Sequence, residues 1–179
     1  MVDRFDPVKA RGMLIVASAG NMASSRPHYP AAFDSVFGIG ALDGTKDVDG
    51  SPWSSASKTA PIADFSNTGT WVDAYTVGQD LPANHVIGGL RFQFNGPLID
   101  GKASIDGTSF SGPATTGFVA ELMSVTGLSA RDARDELLGQ GVAPLPRCGT
   151  NTVEPGMAIV LSSFAADIDD PATEPPTSC

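Results

Sequence analysis

Ser109 stands inside Gly107-Thr108-Ser109-Phe110-Ser111-Gly112-Pro113-Ala114, directly ahead of a long apolar run. A serine at the mouth of a buried helix has its hydroxyl held in place, and its own N–H sits at the positive end of the helix dipole. Acyl transfer needs such a pair: a nucleophile, and a donor for the oxyanion that its attack creates. Small residues at Gly112, Ala114 and Gly117 let the helix pack close to its neighbours. A serine that merely capped the helix would contribute about 1 kcal/mol, and a lone Gly-Thr-Ser would favour that reading. Residue types and spacing alone leave both readings open. Neither Ser109 nor Ser111 sits in G-x-S-x-G, which excludes the nucleophile elbow of the α/β-hydrolases.

The second candidate is Asn21, in Ser18-Ala19-Gly20-Asn21 at the end of an apolar stretch. A parallel sheet presents its functional groups just beyond the carboxyl ends of its strands. A side-chain amide in that place can complement the Ser109 N–H as a second oxyanion donor. Taken alone, Asn21 would read as a turn residue. With Ser109 downstream, the two are expected to face each other across one cleft.

The elements that must position these groups follow from periodicity. Val2 to Gly12 reads as the end of a helix stopped by Gly12. Met13–Ala19 and Val36–Leu42 are unbroken apolar runs, the pattern of neighbouring strands buried on both faces of a mainly parallel sheet. Gly44 to Ala60 is turn-rich and polar, hence a surface loop. Trp71–Val77 is a third strand, and Leu90, Phe92 and Phe94 ahead of Asn95-Gly96 predict a hairpin. Beyond Ser109, Pro113 fits a helix's first turn and the residues through Val125 are apolar on nearly all sides, which predicts a buried helix. Ser129 caps an amphipathic helix through Leu138, with Asp132 early and Gly139 and Gly141 as its stop. Glu154–Phe164, led by Pro155, is expected to be a third helix. Residues 165–179 form an acidic, Pro-rich tail, expected to be frayed, beyond a single domain over residues 1–164.

Composition narrows the classes. The chain has 179 residues, 41% of them hydrophobic and 17% charged, which suits one globular domain with a real core. A net charge of −9 argues against a nucleic-acid binder and against a partner of acidic lipid. No metal or cofactor motif is present, and no stretch approaches a membrane span. Arg4, Lys9 and Arg11 precede Met13–Val16, and Ala17-Ser18-Ala19 has the form of a signal-peptidase site. The apolar run is too short for a signal core, and Asp3 and Asp6 spoil the basic leader, so a buried strand explains it better. A bridge between the two cysteines, Cys148 and Cys179, is chemically sensible only in an exported protein.

These segments carry a family resemblance. Gly107–Ala114 resembles the G-T-S-x-[AS]-x-P motif around the nucleophile of subtilisin-like serine proteases (subtilases, peptidase S8), with Ser109 in the nucleophile's place. Ser18-Ala19-Gly20-Asn21 is similar to the family's [AS]-A-G-N, whose asparagine donates to the oxyanion. Pro27–Ala31 with Val36–Ala41 looks like the Y-P-A loop and V-x-x-V-G-A strand, and Phe65–Gly69 resembles the F-S-[SN]-x-G turn. Trp71–Gly78 takes the position of V-x-x-x-A-P-G, with Thr76-Val77 departing from A-P. The resemblance covers most of Gly12 to Leu138 and implies a three-layer α/β fold, a mainly parallel sheet flanked by helices, incomplete on its amino-terminal side.

The same resemblance implies a serine endopeptidase acting on polypeptide substrates, with Ser109 as nucleophile, Asn21 in the oxyanion hole, and Ala17, Ser18, Ala19 and Gly20 as one wall of the substrate pocket. No cofactor or metal is implied. A subtilase uses Asp, His and Ser as a unit, and its Asp and His precede the oxyanion asparagine. No D-[ST]-G and no His followed by Gly-Thr occurs here, so neither triad partner is expected in this chain. His28 belongs to the Y-P-A loop and His85 to the stretch after Gly78, and neither matches the family base. The expectation is the carboxy-terminal half of a catalytic domain, inactive alone, with the amino-terminal half as its partner. A non-catalytic remnant serving as a binding or structural module is the alternative, and a split enzyme a third. The resemblance suggests secretion. An uncovered sheet edge predicts poor solubility of the isolated chain.

Overall fold

The structure is a computed structural model and describes residues 5–45, 60–84, 102–140 and 157–158. A short helix, α1 (Asp6–Lys9), leads into β1 (Val16–Ser18), β2 (Phe37–Asp43) and β3 (Ala74–Gln79). β4 (Leu81–Asn84) and β5 (Lys102–Ile105) follow, then α2 (Thr108–Thr126), α3 (Ala130–Gly139) and β6 (Met157–Ala158). The main sheet has the order β1-β2-β3-β6 and every pairing in it is parallel. β4 and β5 form a separate antiparallel pair ahead of α2.

Side chains alternate across the sheet with the period of two that a pleated strand imposes. Phe37, Ile39 and Ala74 face α2 and α3, where they pack with Val119, Ala133 and Leu137. Leu42 and Tyr75 face the other way and are covered, with Ala19, by Ala60, Ile62 and Val72. β2 is buried along its whole length because it has a strand on each side and cover on each face.

β1 is shorter than the Met13–Ala19 run and is only half-buried, and Met13 is 55% exposed. The expectation of a strand buried on both faces is corrected for β1. It is the outermost strand of the described sheet, so covering is missing along one side. The parallel pairing of β1, β2 and β3 stands as expected, with helix α2 packed against all three.

Four further expectations are revised. α2 buries one face only, through Thr108, Ser111, Gly112, Thr115 and Val119, while Val125 is 79% exposed. It begins at Thr108, so Pro113 lies inside the helix rather than in its first turn. Its missing N–H withholds the bond that the Ser109 carbonyl would otherwise accept. Ser129 caps α3 as its pattern demands, accepting from the Asp132 N–H, yet Gly139 is still helical and Gln140 is the cap. Met157–Ala158 is a strand on β3 rather than helix, since the outer edge of β3 offers backbone partners at Ala74 and Tyr75. The remainder of that helix, the Leu90–Phe94 hairpin, most of the Gly44–Ala60 loop, both cysteines and the acidic tail lie outside the described residues.

α2 meets β3 through a seam of small and polar groups. Thr76 Oγ1 donates to the Ser111 carbonyl at 3.0 Å and lies 3.3 Å from Thr115 Oγ1. The Gly107 N–H donates to the Gly78 carbonyl at 2.7 Å. A Cβ on Gly78 would overlap Ser111 Oγ and come within 2.8 Å of Ala41 Cβ. Gly78→Ala is therefore expected to lower unfolding stability by about 1–3 kcal/mol in denaturant melts, the range for overpacking a dense site. Adding Ser111→Ala relieves one of the two overlaps, so the double variant is expected to lose less than the sum of the singles.

Candidate functional site

The carboxyl end of β1 and the first turn of α2 meet through one hydroxyl. Thr108 Oγ1 accepts from the Gly20 N–H at 3.1 Å and donates to Asn21 Oδ1 at 2.8 Å. The Thr108 N–H donates to the same oxygen at 2.9 Å. Both partners are donors toward Asn21, so the side-chain atom they hold must be its oxygen. The Asn21 Nδ2 group is left with no acceptor among the described residues, beside Gly107, and Asn21 is exposed.

Ser109 follows Thr108 directly and is exposed at the start of α2. First-turn N–H groups have no intrahelical acceptor. Thr108 gives its N–H to Asn21 and Phe110 gives its own to the Gly107 carbonyl, while the Ser109 N–H has no acceptor among the described residues. One exposed hydroxyl, one uncommitted helix-end N–H and one uncommitted side-chain amide thus come from adjoining positions. They lie at the end of the sheet where β1 and β3 finish. Such a set is chemically suited to a carbonyl under attack, whose oxygen gains charge and takes two donors.

The proposed wall residues divide. Ala17 and Ser18 are half-buried in β1, and Gly20 is half-buried with φ of +100°. Ala19 is fully buried in the core, its N–H bonded to the Ile39 carbonyl and its own carbonyl to Asn67 Nδ2. Ser18 Oγ faces Gly112 of α2. The His28 ring lies against Gly20. His85 lies outside the described residues. Among the described residues no group of three or more His, Cys, Asp or Glu is placed to hold a metal, and no helix is long and apolar enough to cross a membrane.

Sequence pattern did not single out Thr108, Asn67 or Thr76 as parts of the site. Thr108 and Asn67 lie inside quoted motifs, but their contacts join segments far apart in the chain. Thr76 is where the strand departs from A-P. Its hydroxyl supplies a tether to α2 that alanine could not.

A pocket of about 270 Å³ opens at the other end of the sheet, among Lys9, Phe37, Asp73, Arg131 and Arg134. Its charges are mixed and it lies away from Ser109. Asp73 accepts from the Gly38 N–H at 2.7 Å. Desolvation raises its carboxyl above the ordinary 3.8, outweighing the lowering by the Gly38 N–H, Arg134 and Lys9; Asp34 adds to the rise. A carboxyl with a raised folded-state pKa binds its proton more tightly when folded. Stability therefore falls as pH rises from below 3.8 through the folded value. Asp73→Asn keeps an acceptor for Gly38 and removes the ionisation. Its melting temperature at neutral pH is expected to equal or exceed that of the parent, with a flatter acid limb in melts run across pH.

The Thr108 hydroxyl gives a second measurable expectation. Thr108→Val keeps the shape and removes both hydroxyl bonds of a residue that is 1% exposed. A loss of about 1–3 kcal/mol is expected from leaving the Gly20 N–H unpaired. Thr116→Val, at an exposed hydroxyl bonded back to the Gly112 carbonyl, serves as a near-neutral control in the same melts.

Comparison with known proteins identifies the family. The Peptidase S8 model of the subtilase family matches residues 1–140. A thermophilic serine proteinase of Bacillus sp. (strain AK1) is 32% identical over 114 residues, covering 64% of this chain and 22% of that protein. Subtilisin DY of Bacillus licheniformis is 28% identical over 137 residues, covering 74% of this chain and 40% of that protein. The chain thus spans less than half the length of these relatives. Among solved structures, the self-cleaved protease domain of PatA superposes with a TM-score of 0.56 at 25% identity, covering 79% of this chain and 49% of that one. The prenylagaramide maturation protease PagA shares the fold with a TM-score of 0.54 at 22% identity, over 78% of this chain and 44% of that one. Motifs, parallel sheet and family match converge, and the chain belongs to the subtilase family of serine proteases.

Proposed function

We propose that this chain supplies the nucleophile and oxyanion hole of a subtilisin-like serine endopeptidase. Ser109 Oγ attacks the carbonyl carbon of a peptide bond, and its proton passes to a histidine base that is not among these 179 residues. The carbonyl oxygen becomes an oxyanion that accepts from the Ser109 N–H and Asn21 Nδ2. Collapse expels the amine, which takes the proton from the base, and water then releases the acyl group from Ser109. The half-buried side of Ala17, Ser18 and Gly20 forms one wall for the substrate.

The observation that carries this reading is the hold of Thr108, the residue directly before Ser109, on Asn21 Oδ1, which leaves Asn21 Nδ2 uncommitted. A turn-forming asparagine has no need of that arrangement. The partner that completes the unit is the amino-terminal half of the domain, carrying the Asp and His. β1 suits such a partner, because its apolar outer edge carries no charge or proline of the kind that guards exposed edges.

A serine hydroxyl is a weak nucleophile until a base accepts its proton, and triad members act as a unit. The purified chain is accordingly expected to hydrolyse casein no faster than its Ser109→Ala variant and to resist a phosphonofluoridate. Co-expression with a subtilase segment supplying Asp and His is expected to restore labelling at Ser109. In that complex Asn21→Ala is expected to lower kcat about 100- to 1,000-fold, a magnitude taken over from loss of the corresponding donor in a subtilisin. Labelling of the chain alone, abolished by His28→Ala or His85→Ala, would overturn the inactive-half reading. No labelling in any complex that binds the chain would favour the non-catalytic module.

A further inference from the structure

Asn67 lies in the turn after Phe65 and is completely buried, with three hydrogen bonds to its side-chain amide. Its Oδ1 accepts from the Met22 N–H at 3.0 Å and from the Ser24 N–H at 3.1 Å. Its Nδ2 donates to the Ala19 carbonyl at 2.8 Å. The orientation is forced, since two backbone donors face one end of the amide and a carbonyl faces the other. The Asn67 N–H also donates to the Gly20 carbonyl, the Ala23 N–H to the Phe65 carbonyl and the Thr68 N–H to the Ser24 carbonyl. Residues 19–24 are thereby clamped on both sides of Asn21, which itself makes no bond to the 65–68 segment.

Gly20 shows how close the clamp is. A Cβ there would lie 2.7 Å from Asn67 Nδ2, and φ of +100° already disfavours a side chain. The segment between Ala19 and Ser24 is thus held at four backbone groups by Asn67, while Thr108 holds the Gly20 N–H and the rotation of the Asn21 side chain. We propose that Asn67 is the positioning residue for the oxyanion donor: it holds the backbone from which Asn21 reaches Thr108 and the attacked carbonyl. This rests on the functional reading given above for Asn21.

Aspartate at position 67 makes the test pH-dependent. A protonated carboxyl reproduces all three bonds, one oxygen accepting from Met22 and Ser24 and the hydroxyl donating to Ala19. Once ionised, the second oxygen faces the Ala19 carbonyl, and full burial raises the pH at which that occurs. The charged or titratable side chains on the surrounding segments are Arg26, His28 and Asp64, and none of them bonds Asn67. The unsubstituted chain, titrated in parallel, accounts for them.

The experiment is NMR on the full chain, following the Asn21 side-chain amide and the backbone amides of residues 20–24 against those of β2 and β3. In Asn67→Asp, the Asn21 signals are expected to match the parent at low pH. As the substituted carboxyl ionises they shift, and exchange at Met22 and Ser24 rises on the order of tenfold, the factor that one net hydrogen bond represents. The β2 and β3 amides are expected to hold throughout. Unchanged Asn21 signals across the titration, or all amides moving together, would overturn the proposal. If Asn67→Asp does not fold, Asn67→Ser, too short to span both strands of the clamp, is expected to speed exchange at Met22 and Ser24 alone, and unchanged exchange there overturns it. In the Asp- and His-supplied complex, Asn67→Asp is expected to lose kcat with rising pH at constant KM. An inactive parent complex would defeat the catalytic reading while leaving the NMR result to decide the role of Asn67.

Discussion

A single hydroxyl, that of Thr108, joins the two segments of the candidate site. It receives a proton donor from Gly20 at the end of β1 and gives its own proton to Asn21. Nothing else among the described residues ties the Asn21 side chain to the helix that carries Ser109, apart from the N–H of the same threonine. The rest of the fold can be understood as the means of bringing that hydroxyl to within 3 Å of its partner. Parallel pairing of β1 and β2 carries Gly20 to one end of the sheet, and β3 delivers Gly78 to the same end, where it anchors Gly107.

That delivery depends on close approach, and the composition of the α2–sheet contact reflects it. The buried face of α2 is built largely from threonine, serine and glycine rather than leucine. A bulky apolar face would contribute more burial but would hold the helix further from β3. The Thr76 and Thr115 hydroxyls both donate to the Ser111 carbonyl and the Ser111 hydroxyl faces the Val77 carbonyl, so a polar seam is tolerated in a buried interface. Larger side chains appear further along, where Val119, Leu137 and Phe37 form the apolar cluster beneath α3.

Much of this was legible in the sequence, and the limits have physical reasons. Ser109 and Asn21 stand out in the sequence because a small-residue helix start and an apolar strand end are local patterns. The order and approximate place of β1, β2, β3, α2 and α3 followed from periodicity for the same cause. Burial was overestimated for β1 and α2, because an apolar run records what a segment would bury and not whether a neighbour covers it. Pro113 read as a first-turn residue, since the pattern could not show that the helix begins at Thr108. Met157–Ala158 became a strand through an edge of β3 that no local propensity can report. Asn67 and Thr108 escaped notice because a polar residue inside a turn or a helix start looks ordinary until its distant partners are known.

The distance along the chain between those partners bears on how the molecule folds. Thr108 meets Asn21 across 87 residues, a loop whose direct closure costs chain entropy before any contact rewards it. Shorter closures lie on the way: 35 residues separate Gly38 from Asp73, and 34 separate Val77 from Ser111. Once β2 and β3 have paired and α2 has docked, little entropy remains to be lost in bringing Thr108 to β1. Of these three contacts, that between Thr108 and Asn21 closes the longest loop. A site assembled from such distant segments depends on the non-local parallel pairing that makes folding slow.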